Sequence, residues 1–528
     1  MKILISDKLA QAGIDILKQV EGFEVDCRYG LKPEELKKVI PAYDALVIRS
    51  GTKVTADIIQ AADKLKVIGR AGVGLDNVDL KAATRKGIVA MNTPAGNTTS
   101  TAEQTMSLIL ALSRNVPQAY VSLKAGKWER SKFSGIELHG KTLGVIGLGR
   151  IGSTVAHFGK AFGMRVIAFD PYLSREVASQ LGVEIFEFED LLKEADFITI
   201  HTPKSSETKS LIADKEFALM KPNVRIINCA RGGIVDEKAL VKALQDKRIA
   251  GCALDVFEKE PPPPDSPLFQ FDTCVTTPHL GASTSEAQIN VSIEVAQCVR
   301  DALLGKAIIN AANFPSVSPE AYKILAPYID LAQRMGRFAG QLIHGRISQV
   351  NLTCSGIFTS QKNLTPISLA LTNGLLSPIL GETINSVNAL EVAKDRGINI
   401  QEILSTKEEE FVNLVSAEIT TDQERFTVWG TLSGNKQPRI VKVNQVYVEA
   451  SPEGYMLFIN NNDKPGIVGA VGTVLAEADI NIAGITFGRE APGGLAISVV
   501  NVDSEVPEAI LEKIRQTPNV LFVKLLKI

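Results

Sequence analysis

The feature of this sequence that most constrains its fold is a glycine-rich turn between an apolar strand and a helix. Residues 147–152 read Gly-Leu-Gly-Arg-Ile-Gly and directly follow the apolar segment Thr142–Ile146. The first glycine permits a tight turn, the second lets a pyrophosphate approach the backbone, and the third allows helix and strand to pack closely. The helix N-terminus attracts the anion. The motif therefore predicts a dinucleotide-binding βαβ unit whose loop is shaped by Gly147, Gly149 and Gly152.

Asp170 strengthens that prediction because it ends the next apolar strand, Arg165–Phe169, 18 residues after Gly152. A carboxylate at this position accepts hydrogen bonds from both ribose hydroxyls and repels a 2′-phosphate. We therefore expect NAD rather than NADP as the cofactor. The alternative is that Asp170 is only a turn residue before Pro171.

The 528 residues predict three or four domains at roughly 150 residues each. Short apolar segments alternate with amphipathic ones in the first hundred residues, and six further strands are predicted between residues 142 and 277. Such alternation is typical of parallel sheets covered by helices on both faces. Residues 98–125 predict one long helix, and residues 287–304 predict another that returns to the first unit. Residues 455–528 have the ferredoxin-like order strand, helix, strand, strand, helix, strand.

Composition excludes several classes of protein. Lys and Arg total 57 and Asp and Glu total 59, so the chain has no global attraction to nucleic acid or to an anionic membrane. Six cysteines without a CxxC pair predict free thiols, no disulfide frame and no metal site. The sequence lacks a signal-peptide pattern and an apolar run of about 20 residues. We expect a cytoplasmic protein; a transit peptide removed from this chain remains the alternative.

Three polar side chains follow successive predicted strands of the second unit. Arg231, Glu260 and His279 each come just after a strand, and ligands of open parallel sheets bind at the carboxyl ends of strands. A carboxylate bonded to an imidazole fixes its tautomer and raises its pKa, which suits proton exchange with a hydroxyl or carbonyl. Guanidinium binds a carboxylate through two hydrogen bonds. The alternatives are a structural histidine, a solvated loop carboxylate and a surface salt bridge; His201 could line the same site without acid–base work.

The motifs resemble those of the D-isomer-specific 2-hydroxyacid dehydrogenase family, and the resemblance covers nearly the whole chain. Its signature segments are matched, in order, by Phe197–Pro203, Asn228–Asp236, Leu254–Pro261 and Pro278–Thr284. The segments Arg70–Asn77 and Asn92–Asn97 resemble the branch of the family that oxidises 3-phosphoglycerate. The last block resembles an ACT regulatory domain, and the segment before it resembles the intervening domain of long-form members.

The resemblance implies an α/β protein with two doubly wound, Rossmann-like parallel-sheet domains, an α+β intervening domain and a ferredoxin-like βαββαβ ACT domain. The substrate-binding domain would comprise residues 1–98 and 285–312, and the NAD-binding domain residues 99–284. The intervening domain would comprise residues 313–451 and the ACT domain residues 452–528.

The resemblance also implies roles for individual residues. His279 would be the general acid/base, Glu260 its partner, and Arg231 the group that holds the substrate carboxylate and polarises the reacting oxygen. The implied cofactor contacts are Gly147, Gly149, Arg150, Ile151, Gly152, Asp170, Thr202, Cys229, Asp255, His279 and Gly281. The implied substrate contacts are Arg49, Arg70, Val73, Gly74, Asn97 and Arg231. Arg49 and Arg70 are expected to meet a phosphate, or else are ordinary strand-end charges.

The activity implied is NAD-dependent oxidation of 3-phospho-D-glycerate to 3-phosphohydroxypyruvate, the first step of the phosphorylated pathway of L-serine biosynthesis. A side reduction of 2-oxoglutarate to 2-hydroxyglutarate would use the same pocket. The alternatives within the family are a glyoxylate or hydroxypyruvate reductase and a D-lactate dehydrogenase. An alternative of another class is an NAD-sensing corepressor.

The ACT resemblance implies control by a small molecule at an interface between two copies of the chain. L-serine is the effector expected, with Asp463 taking its ammonium and Asn481 of the facing copy binding its carboxylate or side chain. A homodimer or homotetramer is expected accordingly. The alternative is that this block only dimerises.

Overall fold

A computed structural model describes residues 1–315, 317–360, 363–407, 411–434 and 436–528. Its strands form four sheets of five, seven, six and four strands. Within those described ranges, no helix combines the length and apolar character needed to cross a membrane.

The first sheet is parallel, with strand order β2-β1-β3-β4-β5. Its strands are β1 (Lys2–Ile5), β2 (Glu24–Cys27), β3 (Ala45–Ile48), β4 (Val67–Arg70) and β5 (Val89–Met91), and its helices are α1 (Gln11–Lys18), α2 (Pro33–Val39), α3 (Ala56–Ala61) and α4 (Leu80–Lys86). All four residues of β3 are buried, as expected for a central strand covered on both faces. The sequence did not indicate β2, because this edge strand is polar and partly exposed.

The prediction of one long helix over residues 98–125 is wrong. The chain forms two helices, α5 (Thr98–Arg114) and α6 (Val116–Lys124), separated at Asn115. Asn115 has a φ of 52°, in the left-handed region that ends helices. Pro117 follows in the first turn of α6, where its missing N–H costs nothing.

The second sheet has seven parallel strands in the order β12-β11-β10-β9-β6-β7-β8. Its strands are β6 (Thr142–Ile146), β7 (Arg165–Phe169), β8 (Glu184–Ile185), β9 (Phe197–Ile200), β10 (Arg225–Asn228), β11 (Gly251–Leu254) and β12 (Cys274–Thr276), and its helices are α7 (Arg150–Ala161), α8 (Arg175–Gln180), α9 (Phe188–Glu194), α10 (Asp214–Leu219) and α11 (Glu237–Gln245). The doubly wound arrangement predicted for this region is confirmed. The unpredicted strand β8 has only two residues, too few to give a sequence pattern.

Helix α12 (Ser285–Leu303) leaves the second sheet and packs on the first. Its buried face presents Val291, Val295 and Val299 to a cluster that also contains Ile3 and Val67. The chain therefore passes between the two sheets twice, once before α5 and once before α12. These two crossings place the two sheets side by side with a cleft between them.

The third sheet is mixed, with order β14-β13-β15-β16-β17-β18, and only its β13–β14 pair is parallel. Its helices are α13 (Pro319–Leu342), α14 (Thr365–Leu380) and α15 (Ala389–Asp395), and its strands are β13 (Ile347–Ser355), β14 (Asn399–Ser405), β15 (Leu414–Thr421), β16 (Arg425–Ser433), β17 (Gln437–Val443) and β18 (Val446–Ala450). Helices α13 and α14 cover one face of the sheet and bury the largest apolar cluster of the described residues.

The fourth sheet is antiparallel, with order β20-β21-β19-β22. It is formed by β19 (Tyr455–Asn462), α16 (Ile467–Glu477), β20 (Ile482–Arg489), β21 (Leu495–Val502), α17 (Glu508–Arg515) and β22 (Val520–Lys527). The predicted βαββαβ order is confirmed.

Candidate active site

The cleft between the first two sheets contains a cavity of about 440 Å³. Its walls come from the segments that follow β4, β5, β9, β10 and β12, together with the start of α7. Because the strands of each sheet are parallel, these segments all leave the same edge of their sheet. The cavity thus gathers side chains that are more than 200 residues apart in the sequence.

His279 and Glu260 form a hydrogen-bonded pair at this cavity. His279 Nδ1 lies 2.8 Å from Glu260 Oε2, and Glu260 Oε1 accepts a hydrogen bond from the Phe257 amide at 3.1 Å. A carboxylate at Nδ1 favours the tautomer protonated there and leaves Nε2 as a proton acceptor. The imidazole keeps half of its surface exposed, which leaves it accessible to a substrate.

Asp255 holds the loop that carries His279. Its buried carboxylate accepts hydrogen bonds from Thr277 Oγ1 at 2.5 Å, from the Leu280 amide at 2.7 Å and from the Gly281 amide at 2.8 Å. These bonds bracket His279, whose φ of 56° is uncommon for a residue with a side chain. The carboxylate predicted to line the nicotinamide side therefore fixes the backbone on either side of the imidazole.

Arg231 lines the cavity and reaches across the cleft. Its Nε lies 3.2 Å from Asp76 Oδ2, and its Nη1 donates to the Ala230 carbonyl at 2.7 Å. Asp76 belongs to the loop after β4, so this ion pair joins the two sheets. Sequence reasoning missed Asp76, although the motif around residues 70–77 contained it.

Arg49 and Arg70, predicted to meet a phosphate, lie close to each other at the ends of β3 and β4. Neither is among the residues that line the cavity. Burial, and then the neighbouring charge of Arg231, lower the pKa of Arg70 to about 10, and Arg49 contributes in the same direction. Arg70 Nε is buried and has no hydrogen-bond partner among the described residues. The three arginines therefore form one cationic group at this end of the cleft.

The loop after β4 also supplies backbone groups. The Val73 carbonyl accepts a hydrogen bond from Asn92 Nδ2 at 2.5 Å, which fixes the loop beside β5. The amides of Val73 and Gly74 make no hydrogen bond to any described residue. Both residues line the cavity, so these amides are available to an anion there.

The glycine loop has the geometry that its sequence predicts. Gly147 has a φ of 91°, and a Cβ on Gly152 would lie 1.9 Å from the Gly147 carbonyl oxygen. A Cβ on Gly149 would meet nothing within 4 Å, so a phosphate can approach there. Helix α7 begins at Arg150 and directs its N-terminus towards the loop. Asp170 is tied to this loop, because its Oδ2 accepts from the Leu148 amide at 2.8 Å and its Oδ1 from the Tyr172 amide at 2.9 Å.

Several polar groups at the cavity fit a bound cofactor and substrate. Thr202 Oγ1 and Asn97 Oδ1 are buried, and within the described ranges neither has a hydrogen-bond partner. A buried polar atom left this way costs about 1–3 kcal/mol, which a ligand would recover. Burial raises the pKa of Cys229 to about 12, so this thiol stays neutral in the cavity wall. His, Cys, Asp and Glu side chains of the described residues form no group of three or more that could hold a metal ion.

The two predicted regulatory residues lie at opposite ends of the fourth sheet. Asp463 follows β19 and pairs with Arg489 Nη1 at 3.0 Å, beside a cavity of about 310 Å³. Asn481 precedes β20, and its Nδ2 donates to Asp503 Oδ2 at 2.7 Å. One chain therefore does not bring these two residues together.

Three family models match successive parts of the chain. They are described as "D-isomer specific 2-hydroxyacid dehydrogenase, NAD binding domain", "D-3-phosphoglycerate dehydrogenase intervening domain" and "ACT domain", and they match residues 106–281, 324–444 and 455–519. The D-3-phosphoglycerate dehydrogenase of Methanocaldococcus jannaschii is 47% identical over 521 residues, which are 98% of both chains. That of Archaeoglobus fulgidus is 44% identical over 523 residues, which are 99% of both.

The chain belongs to the D-3-phosphoglycerate dehydrogenase family. It is an NAD-dependent 2-hydroxyacid dehydrogenase that carries an ACT domain at its C-terminal end. Among solved structures, the D-lactate dehydrogenase of Aquifex aeolicus in complex with NAD and lactic acid is similar, with 29% identity and a TM-score of 0.52. That similarity covers 58% of this chain and 96% of the other. The predicted family and the predicted cofactor are thereby confirmed.

Proposed function

We propose that this chain oxidises 3-phospho-D-glycerate at its C2 hydroxyl to 3-phosphohydroxypyruvate, with NAD as the acceptor. The reaction opens the phosphorylated route to L-serine. The observation that carries the proposal is the His279–Glu260 pair, whose imidazole lines the same cavity as Arg231; the other members of the cationic group, Arg49 and Arg70, lie outside that lining.

NAD, when bound, supplies the hydride acceptor. The glycine loop and Asp170 are the groups that would hold its pyrophosphate and ribose, and Thr202 and Cys229 would line its nicotinamide side. His279 takes the hydroxyl proton through Nε2, and Glu260 stabilises the imidazolium that forms. Arg231 and the amides of Val73 and Gly74 hold the substrate carboxylate, so the C2 hydroxyl is directed to His279. In the reverse direction His279 returns the proton to the carbonyl.

His201 is the other histidine that lines the cavity, and its environment argues against a role as the base. Its Nε2 lies 2.9 Å from Thr199 Oγ1, and burial lowers its pKa to about 3. The imidazole therefore stays neutral at every pH at which a dehydrogenase is assayed. A buried, neutral His201 is poorly suited to take up the hydroxyl proton, which leaves His279 as the proposed base.

The arginine group favours a doubly anionic substrate over the alternatives. Glyoxylate and lactate carry one carboxylate, which Arg231 alone can bind, whereas 3-phosphoglycerate adds a phosphate, for which Arg49 and Arg70 are the proposed partners. A second carboxylate fits the same requirement, so we include reduction of 2-oxoglutarate to 2-hydroxyglutarate as a side reaction.

The test is NADH production from a panel of 2-hydroxy acids with and without a phosphate, measured with the full chain. We expect 3-phosphoglycerate to give the highest kcat/KM, and Arg70→Met to reduce that value far more than the value for D-lactate. A panel in which glycerate or lactate matches 3-phosphoglycerate would refute the substrate assignment. Absence of turnover with every acid, despite NADH binding, would favour the corepressor.

The proposal also covers the domain boundaries, the effector, the oligomeric state and the location in the cell. We propose the predicted division into domains, L-serine as effector, and a homodimer or homotetramer. Oligomer formation is supported by exposed apolar side chains on and after α6, namely Val116, Tyr120, Val121, Leu123 and Trp128. A cytoplasmic location is supported by six cysteines that are all free thiols.

A further inference from the structure

Asp76 is a carboxylate in the wall of the cavity that the proposed reaction does not use. Its Oδ2 lies 3.2 Å from Arg231 Nε, and the side chain keeps 64% of its surface exposed. The next residue is firmly held, because Asn77 Nδ2 donates to the carbonyls of Arg49 and Thr52 at 2.7 and 2.6 Å. The backbone at Asp76 is thus fixed, while its carboxylate is free to turn into water.

The charges around Asp76 explain why a carboxylate is tolerated there. Burial is the main cause of the lowered pKa of Arg70, the charge of Arg231 lowers that pKa further, and the carboxylate of Asp76 acts in the opposite direction. Asp76 therefore acts as a counter-ion for the cationic group of the cleft. The same cations are the ones that an anionic substrate needs.

We propose that Asp76 is a competing carboxylate that sets how tightly the cleft holds anions, because a substrate carboxylate must displace it from Arg231. The inference rests on the proposed function for the role of Arg231. A solvent-accessible ion pair is weak enough for a ligand with two hydrogen bonds to Arg231 to replace it. The displaced Asp76 remains in the cavity wall, where it repels the bound anion and assists release of the product, which is also a carboxylate.

The alternative is that the Asp76–Arg231 ion pair only holds the two sheets together, and steady-state kinetics distinguish the two roles. If the ion pair is only structural, Asp76→Asn weakens the contact between the sheets, so the cleft is less ordered and KM for 3-phosphoglycerate rises. A competing carboxylate would be neutralised, so KM for 3-phosphoglycerate would fall. We expect a decrease of roughly two- to sixfold, the range set by displacement of an exposed ion pair. kcat should stay constant or decrease, because the product leaves more slowly.

The experiment compares wild type, Asp76→Asn and Asp76→Ala by initial-rate kinetics with 3-phosphoglycerate and with a 2-hydroxy acid that lacks a phosphate. The matched control is Asp63→Asn, since Asp63 is a similarly exposed partner of Lys86 at 3.6 Å, beside the same sheet but outside the cavity. The KM ratio between wild type and Asp76→Asn should approach one as salt is added, because screening weakens charge competition.

The outcomes separate this inference from the proposed function. If wild type oxidises another 2-hydroxy acid but not 3-phosphoglycerate, the substrate assignment fails, and the KM comparison with that acid still decides the role of Asp76. If wild type oxidises 3-phosphoglycerate but both Asp76 variants have an unchanged or higher KM, only the inference about Asp76 is overturned. A KM decrease in Asp63→Asn as well would show a general charge effect and would also overturn it.

Discussion

The cleft between the first two sheets and the ACT domain each place a carboxylate against a cation beside a cavity. In the cleft, Asp76 meets Arg231, and in the ACT domain Asp463 meets Arg489. The cavity in the cleft brings together predicted residues such as Arg231 and His279 within one chain, because parallel strands end at a common edge. In the ACT sheet, β19 and β20 are both antiparallel to β21 and so run in the same direction, which puts Asp463, after β19, and Asn481, before β20, at opposite ends.

Residues that follow neighbouring parallel strands meet within one copy of the chain, whereas the proposed effector site combines a residue after β19 with one before β20 and so requires a second copy. Changes in the cleft should therefore act on each copy separately. Changes in the ACT domain should act through pairs of copies. The predictions below test this distinction.

The largest effect is expected from His279→Ala in the cleft. The variant should lose about 10²–10⁴-fold in kcat, because it removes proton transfer but leaves the dinucleotide loop intact. Initial-rate assays measure turnover and fluorescence titration measures NADH binding, both on the same protein. Near-normal turnover would show that the base has been wrongly assigned, and loss of NADH binding would show that the change is structural.

Glu260→Gln should lower kcat by less, roughly tenfold, because glutamine keeps a hydrogen bond to Nδ1 of His279 but lacks the charge that stabilises the imidazolium. The acid limb of the kcat/KM profile should move to lower pH. His201 cannot produce this limb, because its pKa lies at about 3. A pH profile that superimposes on that of wild type would count against the pair.

Asp170→Ala should weaken NADH binding by roughly tenfold, the equivalent of one or two lost hydrogen bonds. It should also relax discrimination against NADPH, because no charge then repels the 2′-phosphate. Asp170→Asn is the matched variant, since its amide oxygen can still accept from the Leu148 amide and keep the loop in place. The ribose assignment fails if both variants discriminate between the two cofactors as well as wild type does.

The positions of the central residues of the cleft could be predicted from the sequence because they depend on local patterns. Strand ends, the glycine spacing and the residues after each strand determine the positions of Gly147, Glu260 and His279 relative to one sheet. Edge strands β2 and β8 were not predicted, because β2 is polar and β8 is only two residues long. The break at Asn115 had a signal, a proline two residues later, which the helical pattern on either side concealed.

The contact between Asp76 and Arg231 had no local signal. These residues are 155 positions apart and belong to different sheets, so their distance depends on how α12 and the crossing segments dock the two sheets together. The same applies to Asp463, whose bonds to Arg489 and the Gly493 amide depend on the pairing of β20 and β21. The contact between Glu260 and His279, which follow neighbouring parallel strands, was predictable, whereas the Asp76–Arg231 and Asp463–Arg489 contacts were not.

The smallest effect is expected in the ACT domain. L-serine should inhibit wild type by about fivefold, a coupling free energy near 1 kcal/mol, and Asp463→Ala should abolish both inhibition and serine binding. The hydrogen bond from the Gly493 amide, and then Arg489, lower the pKa of Asp463. The carboxylate therefore stays ionised above about pH 5, and inhibition should not depend on its titration there. Glu508→Ala, which removes an exposed ion pair with Arg515 in the same domain, is the control.

Complementation tests whether two copies build this site. Asn481→Ala should also abolish inhibition, although it lies at the far end of the sheet from Asp463. When Asp463→Ala and Asn481→Ala chains are mixed into one oligomer, each mixed pair has one site with both residues intact and one with neither. About half of the serine binding should then return in the mixed pairs, as measured by calorimetry. Binding in neither the mixture nor wild type up to millimolar serine would leave the domain as an assembly module. Binding lost in Asp463→Ala but kept in Asn481→Ala would place the whole effector site within one copy.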